Sequence, residues 1–185
     1  MAQMVIYISG LAGCLFSSII LSCCSQRQAI IATLVANIAG LTITLFAASL
    51  PVAVVGLSIN FIGASIQNGV IISFLSDSVG EAIRVRYTLM IEISFSVSVV
   101  LVSLAYWLIN PWEYAMGFYQ LLPSAISLAG FIFLSEDTPF ELVTRNTPEE
   151  ALLGFQRIAA LNKNECSLDL QQVAAVSEEF TTQQR

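Results

Sequence analysis

Few side chains in this chain can do ionic chemistry, and the ones that can sit where charge is costly. Glu92, in YTLMIEISFSVS, is a carboxylate inside an apolar run long enough to cross a bilayer. An ionisable group at such a depth is a candidate proton carrier, cation partner or part of a conformational latch. It lies on the order of 9 Å along a helix from Arg86, so reaching back to the interface, or pairing with Arg84 or Arg86, is the plainer alternative. The segment SDSVGEAIRVRY (76–87) brings Asp77 and Glu81 close to Arg84 and Arg86. At a membrane surface the lowered dielectric strengthens such pairing, and a charge latch between helix ends is its functional reading. Simple anchoring of two helix ends accounts for the arginines but less well for the acids. Arg27 is the only charge in the other short polar break, CCSQRQ.

A third group is neutral. Asn60, Gln67 and Asn68 lie within one apolar stretch, where amides hydrogen-bond to neighbouring helices or line a solute path. Gly56, Asn60 and Ala64 stand four apart, and Ser65 precedes Gly69 by four, spacings that let helix backbones approach closely. Cys23 and Cys24 offer metal binding or palmitoylation, or serve simply as small residues at a helix end; Cys14 falls within a span and Cys166 in the tail. With no histidine in the chain, a histidine metal site, a Ser-His-Asp triad and a Cys-His pair are all excluded. No nucleophile–base pair or cofactor loop is visible, so neither an enzyme, a cofactor nor a metal is expected.

The elements that must position these residues are set by composition. The chain is 56% hydrophobic and 11% charged, with a mean hydropathy of +0.79, whereas a soluble domain carries about 25% charged residues. Between Met1 and Leu134 the charges are Arg27, Asp77, Glu81, Arg84, Arg86, Glu92 and Glu113; the rest lie in Glu136 to Arg185. The division is an apolar body, 1–135, and a polar tail, 136–185. A net charge of −6 argues against nucleic acid, which needs a basic patch.

The body holds five apolar stretches, about 4–22, 29–50, 52–75, 87–109 and 114–134. Each is near the ~20 residues a helix needs to span a ~30 Å hydrocarbon core. The runs are continuous rather than alternating, which favours helix over barrel strand. The expected fold class is therefore all-α, a polytopic bundle of about five transmembrane helices. Met1 to Met4 lacks the basic start of a signal peptide, so cleavage is not expected. Numbering the connections in order, the breaks at 23–28 and 76–86 and the tail carry all seven basic residues, Arg27, Arg84, Arg86, Arg145, Arg157, Lys163 and Arg185. Five spans put those segments on one side, and the positive-inside rule makes it the cytoplasmic or matrix side of a plasma or organellar membrane. In the tail, Thr147-Pro148-Glu149-Glu150 has the form of a helix start, and apolar residues at 151, 152, 155, 158 and 159 predict an amphipathic helix over about 148–161, against the membrane face or the underside of the bundle. A second short helix is expected near 168–180.

The order of these elements resembles the N-terminal half of a major facilitator superfamily transporter, in the branch of sugar porters and organic-ion transporters. GLAGCLFSSIILSCCSQRQAI (10–30) is similar to the family's glycine-rich second helix and the basic loop after it. SDSVGEAIRVRY resembles the acid-to-arginine segment between the fourth and fifth helices, with Asp77, Arg84 and Arg86 in matching places. DTPFEL followed by TPEEALLGFQRIAALN resembles the segment after the sixth span. The likeness covers almost the whole chain as the family's second to sixth helices, and it implies alternating access for a small organic solute. It departs where Ser22, Cys23 and Gln26 stand in place of loop charges, with Arg27 retained, and where Phe140 replaces an arginine. Family transporters hold substrate between two halves, so the lipid bilayer and further membrane chains, a complementary half or a large complex, are the expected partners. Two functions follow: a solute-carrier-like transporter, or a transport-inactive homologue kept as a structural subunit.

Overall fold

The apolar runs fold as helices because lipid offers their backbone amides no other partner. The computed structural model describes residues 2–109, 111–145, 147–161, 163 and 168–183, and among these there is no strand. The chain is an all-α bundle with five helical stretches long and apolar enough to cross a membrane: Gln3–Cys23, Gln26–Leu45, Leu50–Ser78, Ile83–Leu108 and Trp112–Leu134. It is a multi-pass membrane protein.

Helix α1 (Ala2–Cys23) ends at the polar Cys24–Ser25 break, and Ser25 starts α2 (Gln26–Leu45). The Ser25 hydroxyl accepts from the Gln28 amide (3.1 Å) while the Gln28 side chain accepts from the Ser25 amide (3.4 Å). This reciprocal pair satisfies two amides that a helix start leaves open. Pro51 stands in the first turn of α3 (Leu50–Ser78), where its missing N–H costs nothing. At 29 residues α3 reaches roughly 43 Å, so its last turns, with Asp77, emerge beyond a ~30 Å core. After the Val79–Gly80 turn comes α4 (Glu81–Leu108). The fifth span runs through α5 (Trp112–Met116), a π-helical turn (Gly117–Leu121) and α6 (Leu122–Leu134).

Helix α3 is the centre of the packing, with α1 on one side and α2 on the other, while α2 also meets α6. The buried core joins Ala29, Ile30 and Leu34 of α2 to Ile66 and Val70 of α3. Phe74 and Phe131 close it toward the tail, edge to face with ring centroids 6.0 Å apart. Glycines make the α2–α3 approach possible. A methyl group on Gly40 would lie 2.6 Å from the Gly56 carbonyl oxygen, and one on Gly56 would lie 2.7 Å from that of Gly40. Helix α4 is different: it packs mainly on α3 and α5, its neighbours in the chain, and within it only Ala105 is buried among the described residues.

The tail builds a small core of its own. Val143 of α7 (Pro139–Thr144), Ala151 of α8 (Pro148–Leu161) and Val173 of α9 (Leu170–Gln183) are buried together, flanked by Leu142, Leu152 and Phe155. The apolar face of α8 thus turns to α7 and α9, and it is α7 that meets the end of α3. The Thr147 hydroxyl donates to the Leu142 carbonyl (2.9 Å), and Ser177 donates to that of Val143 (2.8 Å), which ties the three helices together.

Candidate functional site

The tail meets the bundle at the start of α2. The Gln26 amide, left open by the capping pair just before it, donates to both oxygens of Glu141 (3.0 and 3.2 Å) across 115 residues of sequence. A carboxylate at a helix N-terminus also opposes the positive end of the helix dipole. Glu141 is held in place by Thr138, whose hydroxyl accepts from the Glu141 amide (3.3 Å), and by Arg145, whose Nε lies 3.1 Å from Oε1. Burial pushes the Glu141 carboxyl above the usual glutamate value; the Gln26 amide and Arg145 pull it down, and Asp137 and Asp77 push it further up.

The Gln26 side chain extends the same junction to α3, donating to Ser73 Oγ (3.2 Å) and to Asp77 Oδ2 (2.5 Å). Arg27 crosses the other way and donates from Nη2 to the Ile132 carbonyl near the end of α6 (3.0 Å). Four elements, α2, α3, α6 and α7, are therefore pinned around two consecutive residues. Arg157 pairs with Glu136 farther out, an exposed ion pair of little energetic weight.

The charges named for a latch are thus divided. Asp77 and Arg27 lie in the junction, each bonded to an uncharged partner. Arg84 and Arg86 are exposed, and among the described residues neither has an acid within ion-pair distance. Glu81 opens α4, and its side chain lies outside what is described. Cys166 lies outside the described residues as well, and Cys14, Cys23 and Cys24 are free thiols. Among the described residues no group of cysteines and acids has the arrangement of a metal site.

The intramembrane amides separate in the same way. Gln67 accepts from Asn37 Nδ2 at 2.7 Å, an α3–α2 bond across the seam, and Asn37 packs against Gly63. Asn60 is half-buried beside Gly40, and Asn68 is exposed. Glu92 faces outward from α4, roughly 16 Å along the helix from Glu81. Thr88, Glu92 and Ser96 follow at four-residue steps, so they form a polar line on one face of the span. The hydroxyls of Thr88 and Ser96 return to carbonyls of their own helix, at 3.1 and 3.0 Å.

Two contributors carried sequence signals that the candidate set left out. Ser25-Gln26-Arg27-Gln28 has the capping-box form, which marks a helix start whose remaining amides are open to an acceptor. Asn37 is an amide in an apolar run, no less visible than Asn60. Glu141 carried no such signal, since its role depends on a contact between distant segments. No family model matches this chain, and no curated protein is similar to it above chance.

Proposed function

We propose that this chain is one wall of a solute-carrier-like membrane transporter of the major facilitator kind, moving a small organic solute by alternating access. The observation that carries this reading is Glu92, exposed in the interior of a spanning helix whose flank has almost no neighbours. Lipid does not stably cover an ionisable side chain at that depth; protein or a water-filled path does. The line Thr88, Glu92, Ser96 therefore faces further helices, and between such helices and α4 lies the natural place for a polar path. All seven basic residues fall in the breaks at 23–28 and 76–86 and in the tail, and the positive-inside rule supports a cytoplasmic or matrix side for these segments.

A second reading has its own support. Asp77 and Arg27 are held in hydrogen bonds to uncharged partners, and among the described residues no acid lies within ion-pair distance of Arg84 or Arg86. A structural subunit in a larger membrane complex needs the same covered α4 face but no moving latch. Uptake into vesicles reconstituted from the chain with its native partners separates the two. Under the transport reading Glu92→Gln abolishes the pH dependence of uptake, and unchanged pH-dependent uptake would remove Glu92 from the mechanism. The subunit reading expects no uptake, a stable complex recovered from the native membrane, and assembly that survives Glu92→Gln.

A further inference from the structure

At the end of the bundle away from the tail, the last turn of α2 and the α5–α6 span enclose an open groove of about 690 Å³. Its walls are apolar, from Phe46, Tyr114, Phe118 and Leu122 among others, with one exception: Glu113. One oxygen of that carboxylate, Oε2, is buried and has no hydrogen-bond partner among the described residues. A buried acceptor of this kind calls for a donor, and a charged one for a cation. The groove is shaped by the π-helical turn, whose first residue, Gly117, has open space where a side chain would be. Such wide turns recur at functional sites.

We propose that this groove binds an aminophospholipid, with Glu113 accepting a hydrogen bond from the primary ammonium of the headgroup and Phe118 and Leu122 lying along an acyl chain. Depth selects a lipid over a soluble amine. Glu113 is in the first turn of its span beside Trp112, the residue type that anchors helix ends at headgroup level. Leu122 lies roughly 13 Å deeper along the same helix, so the polar and apolar parts of the site are ordered as they are in a phospholipid. The unpartnered acceptor selects a primary ammonium over a quaternary one, which has no hydrogen to donate. The site is independent of the transport reading and lies at the opposite end of the molecule from the tail junction.

The full chain is reconstituted in nanodiscs of phosphatidylcholine and phosphatidylethanolamine in equal amounts, and the lipid retained after gentle detergent extraction is counted by native mass spectrometry. Retention of phosphatidylethanolamine about tenfold over phosphatidylcholine is expected, the worth of one charge-assisted hydrogen bond, with the mono- and dimethylated headgroups falling between. Glu113→Gln should equalise the two lipids, and Gly117→Leu should fill the groove and reduce retention of both. A leucine side chain at 117 enters open space, and unchanged helicity by circular dichroism confirms that either variant is folded. Equal retention of both lipids by the unaltered chain overturns the proposal, as does a preference that survives Glu113→Gln. Displacement of the bound lipid by equimolar dodecylamine would assign the groove to soluble amphiphiles and equally overturn it.

Discussion

The α2–α3 seam and helix α4 are made from similarly apolar sequence, yet one is knitted and the other stands apart. Between spanning helices there is little hydrophobic driving force, since lipid chains are as apolar as the side chains they would replace. Association depends instead on close backbone approach and on hydrogen bonds. The seam has both: Gly40 against Gly56, Gly63 against Asn37, and the Asn37–Gln67 bond. Helix α4 has no glycine in 28 residues, and its serines at 94, 96, 98 and 103 donate to carbonyls of their own helix. Glu92, the carboxylate inside its apolar run, is exposed rather than turned to the bundle. Apolar character takes a helix into the membrane; small residues and amides decide which helices meet there.

The seam is broken most severely at its tightest point. A side chain on Gly56 would meet Thr44 and the Gly40 carbonyl at sub-contact distance. Gly56→Leu is therefore expected to cost about 3 kcal/mol or more, read as loss of the folded form in a detergent unfolding titration. Next comes the junction with the tail. Glu141→Ala removes the acceptor for the Gln26 amide and the partner of Arg145, with an expected cost of about 1–2 kcal/mol and faster proteolysis of α7–α9. Asn37→Ala, which leaves Gln67 unpaired, should cost about 1 kcal/mol in the same unfolding titration. The smallest effect sharpens the comparison from the other side. The nearest atoms to a methyl group on Gly69 are those of Ser17 at 3.5 Å, ordinary contact, so Gly69→Ala should fall within about 0.5 kcal/mol of the parent.

Acidity tests the junction without a change in packing. The carboxyl of Glu141 is raised above its ordinary 4.5 chiefly by burial, so the folded junction holds the proton more tightly than the unfolded chain does. Its contribution is fully present below that ordinary value and is lost as pH rises through the raised one. Protection of the tail from protease should therefore increase on mild acidification and level off near pH 4.5. Glu141→Gln, which has no proton to lose, should flatten that dependence.

Much of this was legible in the residues themselves. Five continuous apolar runs and the polar breaks at 23–28, 76–86 and 110–113 dictate five helices, because a backbone in lipid must bond within its own segment. The tail helix over 148–161 followed from the apolar spacing after Thr147-Pro148. The grouping of the charged residues was not legible. Asp77 lies near Arg84 and Arg86 in the chain, but its side chain belongs to Gln26, because the last turn of α3 faces the start of α2 while α4 leads away. Proximity in sequence predicts partners on one helix or across a short turn, and the partner of Asp77 lies 51 positions away.

The sequence by itself determined how many segments are long and apolar enough to cross a membrane, because that depends on local transfer energy. The ends shifted, with α2 at Gln26–Leu45 rather than 29–50 and α4 starting at Glu81 rather than near 87, because helices continue through polar residues at the membrane surface. Only the tertiary structure decided that Glu141 accepts from the start of α2, that Asn37 meets Gln67, and that Glu92 is left facing outward. Each of these depends on which helices can approach closely, and that is settled by the fit of glycines and amides between segments far apart in the chain.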